Sequence, residues 1–133
     1  MSKTILVVDD DEGITEVMQI VLEGEGYRVQ TSRTGDCLHQ FHGTSPDLIL
    51  LDILLIGRDG REVCKALKSN PQTAHIPVIM LSAYSDTGLV ADMSGADGYL
   101  EKPFDLDTLI ETVKNHLTSP AIEPALLSEE VPG

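Results

Sequence analysis

The stretch Pro46-Asp47-Leu48-Ile49-Leu50-Leu51-Asp52 decides the fold, because a run of four apolar residues in it ends at a carboxylate. Such a short run without alternation predicts a strand buried on both faces, as in a parallel sheet covered by helices. Asp52 is then expected at the carboxyl edge of the sheet, where open parallel sheets bind ligands. Taken alone, an aspartate at a strand end is more often a turn residue or a helix cap, so the rest of the chain has to decide.

The remaining sequence predicts four more strands and five helices that alternate with the strands. The strands are Ile5 to Val8, Tyr27 to Thr31, Ile76 to Leu81 and Gly98 to Glu101. The helices are predicted around Ile14 to Leu22, Leu38 to Phe41, Val63 to Leu67, Thr87 to Met93 and Leu106 to Leu117, with apolar stripes that include Val17, Ala66 and Leu106. This alternation predicts an α/β fold, a doubly wound five-stranded parallel sheet with strand order 2-1-3-4-5.

Length and composition limit the domain count. The 133 residues fit one domain, predicted to span residues 1–118. Residues 119–133 contain proline and acidic residues without a clear apolar stripe, which predicts a mobile tail or a shortened linker. An amphipathic docking segment around Ile122 to Leu127 is the alternative for this part of the chain.

Charge and cysteine usage narrow the class of partner. Nine basic against 22 acidic residues give a net charge of -13, which opposes nucleic acid and anionic membranes at long range. Cys37 and Cys64 have no metal-binding spacing and are predicted to be reduced thiols. Since no apolar stretch approaches membrane-spanning length, the sequence predicts a cytoplasmic protein.

Polar side chains follow four of the predicted strands. Asp9 and Asp10 follow the first strand, Asp52 ends the third, Ser82 follows the fourth and Lys102 follows the fifth. Strands one and three flank the point where the connections reverse direction, so the three carboxylates are expected to converge. Three close carboxylates repel one another, so either some of them stay protonated or a cation neutralises them.

An acidic site with oxygen ligands and no histidine or cysteine suits Mg²⁺, which binds one or two carboxylates together with phosphate oxygens. The Ser82 hydroxyl and the Lys102 ammonium are expected at the same edge of the sheet. A carboxylate nucleophile, a divalent ion, a hydroxyl donor and a cation are what a transferring phosphoryl group requires. The residues therefore indicate phosphoryl transfer.

Four motifs resemble the receiver domain of response regulators in two-component signalling, similar to the single-domain chemotaxis regulators. In family order and spacing they are Ile5 to Asp10, Pro46 to Asp52, Ile76 to Ala83 and Gly95 to Phe104. The resemblance covers Lys3 to about Leu117 and implies a flavodoxin-like fold. It also implies that the Lys102-Pro103 peptide bond is cis.

The resemblance implies that Asp52 is the phosphoacceptor. The phosphoryl group would come from a histidine kinase or a phosphotransfer protein. It implies that Mg²⁺ is bound by Asp9, Asp10, Asp52 and the backbone carbonyl of Leu54. Ser82 and Lys102 would bind the phosphoryl oxygens.

Further implications concern the output. Ser82 and Tyr99 would form a switch that changes the face made by the fourth helix, the fifth strand and the fifth helix. The target would be a downstream protein, without direct binding of nucleic acid or membrane, and the chain would be a monomer or a phosphorylation-dependent dimer. Leu54 and Tyr84 occupy positions that resemble those at which the family tunes phosphoryl lifetime. Neither offers a carboxylate or amide to orient water, which predicts slow self-dephosphorylation.

Two departures from the family pattern affect the surroundings of the site. Ile56 stands where the family usually has proline, four residues after the phosphoacceptor, which changes the expected loop to Gly60. The chain between Ser82 and Lys102 is about two residues shorter than in the chemotaxis regulator, which trims the fourth helix or its loop and alters the partner face.

Two other functions compete with the signalling interpretation. Ile5 to Asp11 also fits a haloacid-dehalogenase-type phosphatase with Asp9 as the nucleophile, although Gly13 replaces the expected threonine or valine and no acidic pair follows Lys102. A receiver-like module that only binds partners would not explain why every residue of the site is present. Substitution of Asp52 distinguishes these functions.

Overall fold

The computed structural model describes residues 3–33, 45–55, 58–83 and 95–117. The strands are Thr4–Val8 (β1), Arg28–Ser32 (β2), Leu48–Asp52 (β3), Leu54–Leu55 (β4), Arg58–Asp59 (β5), Val78–Ala83 (β6) and Gly98–Lys102 (β7). The helices are Glu12–Gly24 (α1), Gly60–Ser69 (α2) and Leu106–Leu117 (α3). The second and fourth predicted helices and the predicted tail 119–133 lie outside the described residues.

The main sheet has five parallel strands in the order β2-β1-β3-β6-β7. Because β6 and β7 are the fourth and fifth predicted strands, the predicted order 2-1-3-4-5 is confirmed. The register pairs Val8 with Leu51, Asp52 with Leu81 and Ala83 with Lys102. These pairings bring the carboxyl ends of four strands to one edge of the sheet.

The strand β3 is buried along its whole length, as its unalternating sequence predicts. Successive side chains of a strand point to opposite faces, so the apolar strands feed two cores. One core packs Ile49 and Leu51 against α2, and the other packs Leu48 and Leu50 against α1 and α3. With both faces covered by helices, the polar residues at the strand ends are left at the edge.

The predicted stripes of the helices are too wide. In α1 the buried residues are Met18 and Leu22, while Val17 is 46% exposed. In α3, Leu109 and Val113 are buried and Leu106 is 42% exposed. Ala66 of α2 is also exposed. A helix resting on a flat sheet buries a narrow strip, so apolar residues beside that strip remain in contact with solvent.

The helix α1 is capped at its start and closed by glycine beyond its end. Asp11 is the N-cap of α1, where its side chain accepts a hydrogen bond of 3.2 Å from the Ile14 N–H. Gly26, with φ at 96°, lies just beyond the end of the same helix. No helix among the described residues is both long and apolar enough to cross a membrane.

The connection from Asp52 to Gly60 is not the plain loop that the sequence predicts. The strands β4 and β5 pair antiparallel, with Leu54 opposite Asp59 and Leu55 opposite Arg58. Strands of two residues are too short to show alternation, which is why the pattern does not reveal them. The hairpin returns the chain to the end of β3, where α2 begins.

Candidate functional site

The carboxylates of Asp9, Asp10 and Asp52 meet at the carboxyl edge of β1 and β3. One oxygen atom from each of the three lies within 4.8 Å of those of the other two. Asp9 is 1% exposed, Asp52 is 7% exposed and Asp10 is half-buried. The predicted convergence of these residues is therefore present.

Lys102 reaches this cluster from the end of β7. Its Nζ atom lies 2.9 Å from Oδ2 of Asp9 and 3.4 Å from Oδ2 of Asp52. Burial opposes the charged form of Lys102, but the hydrogen bond to Asp9 and the charge of Asp52 outweigh burial and raise the pKa of the ammonium. Counted in their ionised forms, the three carboxylates exceed by two the one ammonium that the described residues bring to the cluster.

Asp9 is oriented from two sides. Its Oδ1 atom accepts a hydrogen bond of 2.9 Å from the Asp11 N–H, and its Oδ2 atom accepts one from Lys102. The start of α1 thus holds the carboxylate while Asp11 itself caps the helix.

Ser82 lies near the end of β6, the neighbour of β3. Its side chain is fully buried, and within the described part of the chain its hydroxyl has no hydrogen-bond partner. A buried hydroxyl without a partner is costly to the fold and is rare in native proteins. At this edge of the sheet, such a hydroxyl fits the oxygen of a ligand.

Of the remaining predicted residues, two lie on strands and the others lie beyond the described residues. Tyr99 lies on β7 and is 51% exposed. The backbone of Leu54 belongs to β4. Tyr84 and Ile56, together with most of the shortened region before Gly95, lie outside the described residues. The Lys102-Pro103 bond is cis, as the resemblance implies.

An apolar groove beside the site was not predicted. It has a volume of about 380 Å³, and Lys102 and Asp11 share its lining with apolar side chains that include Ile14, Val17 and Leu106. The signal for it was present in the sequence, because the stripes of α1 and α3 contain more apolar residues than a narrow helix contact requires.

Comparison with known proteins identifies the family. The sequence model of one protein family, the response regulator receiver domain, matches residues 5–114 of this chain. The chain belongs to this family. As a receiver domain of a two-component response regulator, it falls in a class of signalling phosphoacceptors that bind Mg²⁺ at an acidic pocket. The Asp9, Asp10 and Asp52 cluster could hold such an ion. The phosphatase alternative finds no support.

Longer proteins are among the relatives of this receiver domain. The DNA-binding response regulator MtrA of Mycobacterium leprae is 40% identical over 130 residues, which make up 94% of this chain and 56% of that protein. MtrA of Mycobacterium tuberculosis has the same identity, with 55% of its length covered. The chain thus spans about half the length of these relatives.

Solved structures share the fold. The receiver domain of NtrX from Brucella abortus superimposes with a TM-score of 0.78 at 32% identity, covering 86% of this chain and 98% of that one. The chemotaxis response regulator CheY4 of Vibrio cholerae has a TM-score of 0.78 at 28% identity, covering 88% of this chain and all of that one.

Proposed function

We propose that this receiver domain is a phosphorylation-activated switch in which Asp52 accepts the phosphoryl group of a histidine kinase or phosphotransfer protein. One observation carries the proposal. Three carboxylates with an excess of negative charge share one edge with an ammonium and with a buried hydroxyl that has no partner among the described residues. A phosphoryl group with a divalent cation matches each of these groups.

The residues proposed to hold Mg²⁺ are Asp9, Asp10, Asp52 and the backbone carbonyl of Leu54. The excess negative charge of the carboxylates supports this assignment. When bound, Mg²⁺ neutralises charge on the carboxylates and on the incoming phosphoryl oxygens.

The chain's own residues divide the chemistry. A carboxylate oxygen of Asp52 bonds to phosphorus as the bond from phosphorus to the donor breaks, which yields a mixed anhydride and a released donor group. Lys102 binds a phosphoryl oxygen with its ammonium, and Ser82 donates its hydroxyl hydrogen to another. Asp9 keeps the ammonium close to Asp52, because Lys102 contacts both carboxylates.

The switch would begin at Ser82, which moves toward the new phosphoryl group, and continue at Tyr99, which turns inward. Ser82 and Tyr99 lie on the paired strands β6 and β7, where Met80 is opposite Tyr99 and Ser82 is opposite Glu101. Tyr99 is half-exposed, and this exposure supports the proposed movement because it leaves the side chain room to turn. The face changed is that of the fourth predicted helix, β7 and α3.

The proposed partners are proteins. The apolar groove between α1 and α3 opens beside Lys102, which supports contact there with the phosphodonor protein. For the output, the net charge of -13 supports a protein target over direct contact of this domain with DNA. The MtrA relatives are DNA-binding proteins of greater length, and their DNA binding is not assigned to this chain. We assign the receiver domain to residues 1–118 and a tail or linker to 119–133.

Signal lifetime is proposed to be long, on sequence grounds alone. Leu54 and Tyr84 offer no carboxylate or amide to orient water toward phosphorus, and their apolar branch and bulky ring would exclude it. The decay rate of the phosphorylated protein should therefore rise in Leu54→Asn with Tyr84→Glu. Equal decay in the two proteins would show that these side chains do not control access of water.

The test of the proposed function is intact mass after incubation with Mg²⁺ and a small phosphodonor. The wild type should gain one phosphoryl group, and Asp52→Asn should gain none. Asp97→Asn is the control, because Asp97 is paired with Lys68, away from the cluster. Labelling of Asp52→Asn, or labelling without any divalent ion, would contradict the assignment. If Asp9→Asn lost labelling while Asp52→Asn kept it, the result would favour the phosphatase function with Asp9 as the nucleophile.

A further inference from the structure

The first turn of α2 lies directly against the end of β3. The Gly60 N–H donates a hydrogen bond of 2.6 Å to the carbonyl oxygen of Ile53. A Cβ atom built on Gly60 would overlap the carbonyl oxygen of Asp52 and would lie 2.8 Å from Cα of Ile53. The hydrogen of glycine is therefore what allows the helix to rest on the Asp52–Ile53 peptide.

The helix has little freedom to move away from that peptide. Asp59 caps it by accepting a hydrogen bond of 2.9 Å from the Arg61 N–H, and the Arg61 side chain pairs with Asp59 at 2.7 Å. Val63, Cys64 and Leu67 of α2 are buried in the core beneath. A side chain at position 60 would therefore displace the strand end before it displaced the helix.

At Asp52 the strand β3 is paired with a neighbouring strand on one side only. The ladder between β1 and β3 runs from Leu48 to Leu51 and stops before Asp52. Beyond that point β3 is laddered to β6, through the pairing of Asp52 with Leu81 and the hydrogen bond of 3.0 Å from the Ile53 N–H to the Leu81 carbonyl. A push on the Asp52 peptide would tilt the residue that carries the carboxylate.

We propose that Gly60 is a positioning residue for Asp52. Its missing side chain lets α2 support the Asp52–Ile53 peptide from below, and this support sets the position of the carboxylate beside Asp9 and Lys102. The inference rests on the proposed function, because it is the phosphoacceptor that is positioned. Transfer reactions are sensitive to such placement, since a displacement of about 1 Å can cost on the order of a hundredfold in rate.

The experiment compares Gly60→Ala with two controls. Gly24→Ala makes the same chemical change where a Cβ meets nothing within 4 Å. Val63→Ala shortens a buried side chain of the same helix, so it lowers stability while the glycine at position 60 is kept. All proteins are assayed at a temperature at which circular dichroism shows them folded. The readouts are the maximal rate of phosphorylation by a small phosphodonor and the Mg²⁺ dissociation constant of the unphosphorylated protein by calorimetry.

For Gly60→Ala we expect the maximal phosphorylation rate to fall by about tenfold or more, and Mg²⁺ binding to weaken. Gly24→Ala and Val63→Ala should stay within about twofold of the wild type in both readouts. A purely structural role would instead make the loss in rate follow the loss in melting temperature, so that Val63→Ala would be impaired as well.

Wild-type rate and Mg²⁺ affinity in Gly60→Ala would overturn the proposal, as would equal impairment of Val63→Ala. If Gly60→Ala does not fold, the wild type provides the test by NMR. Saturation with Mg²⁺ should shift the Gly60 amide resonance more than that of Gly24, and an unmoved Gly60 resonance overturns the proposal. If the wild type gains no phosphoryl group, the proposed function fails, whereas the Mg²⁺ readouts still test Gly60.

Discussion

Two lysines of similar burial lie at opposite ends of β6 and β7 and make very different sites. At the amino ends, Nζ of Lys68 contacts the carbonyls of Ala74 at 3.1 Å and Ile76 at 2.8 Å, and Oδ2 of Asp97 at 2.8 Å. At the carboxyl ends, Nζ of Lys102 contacts Asp9 and Asp52. The side chains of Lys68 and Lys102 are 17% and 19% exposed. Burial therefore does not distinguish the two.

The difference lies in charge balance and in hydrogen bonds. One ammonium meets one carboxylate at Lys68, and Oδ2 of Asp97 also accepts a hydrogen bond of 2.9 Å from the Val78 N–H. Asp97 thereby links α2, β6 and the start of β7. The Lys102 site keeps an excess of negative charge and lies at the edge that carries the buried Ser82 hydroxyl. A balanced site stabilises the fold, and an unbalanced one is prepared for a ligand.

The largest expected difference between the two lysines is in the rate of phosphorylation. Lys102→Met should lower the rate of phosphorylation by a small donor on the order of a hundredfold or more, because a positive charge at the developing phosphoryl charge is lost. Lys68→Met should remain within about threefold per folded molecule. Initial rates of mass gain provide the measurement. Comparable losses in the two variants would show that the Lys68 site also serves the reaction.

The second effect concerns the free energy of unfolding, and here the Lys68 variant is the one expected to lose. Lys68→Met leaves two backbone carbonyls and the Asp97 carboxylate without their shared cation, which should cost about 2–3 kcal/mol in the free energy of unfolding. Urea denaturation measures it, with Lys65→Met as the control because Lys65 is exposed on the same helix. A loss no greater than that of the control would mean that the Lys68 contacts contribute little.

The third effect tests the excess charge at the carboxyl edge. Removal of the ammonium in Lys102→Met leaves three carboxylates to share a divalent ion, so Mg²⁺ should bind about tenfold more tightly than to the wild type. Tighter binding raises the thermal midpoint further at a given Mg²⁺ concentration. Weaker binding in this variant would contradict the view that Lys102 and the cation compete for the same carboxylates. Lys68→Met should show the wild-type response to Mg²⁺.

The smallest effect comes from another ion pair, between Asp59 and Arg61. The hydrogen bond from the Arg61 side chain lowers the pKa of Asp59. A carboxyl with a lower pKa in the folded chain stabilises the fold above its unfolded pKa, and this contribution is lost as the pH falls through the folded pKa. The difference in unfolding free energy between wild type and Asp59→Asn should be constant above about pH 5 and shrink below about pH 4. If this difference in unfolding free energy grew as the pH fell, the expected direction of the pH dependence would be wrong.

Cys64 illustrates a group for which sequence and structure agree. It was predicted to be a reduced thiol, and it lies buried in the core beneath α2. Burial is the main cause that raises the pKa of the thiol to about 11; the charge of Lys68 lowers this pKa and the charge of Asp97 raises it, both to a smaller extent. Such a thiol stays protonated near neutral pH, so it packs as an apolar side chain.

The sequence by itself determined the five strands of the main sheet, their order and the identity of the clustered residues. Leu48 to Leu51 and Ile5 to Val8 are apolar without alternation, and this pattern is local, so it can be recognised without coordinates. Asp9, Asp52 and Lys102 could be placed at one edge because parallel strands end on the same side of a sheet. The family resemblance then added the roles proposed for these residues.

The tertiary structure alone decided which side chains share a contact across long stretches of chain. Lys68 and Asp97 are 29 residues apart. The local sequence around either residue does not predict that the two side chains are paired. The overlap between a side chain at position 60 and the Asp52 carbonyl depends on how a helix docks on a strand end, at distances of tenths of an ångström. Exposure of Val17 was likewise set by the narrow contact between a cylinder and a sheet. Periodicity specifies which face of an element is apolar, while packing specifies how much of that face is covered.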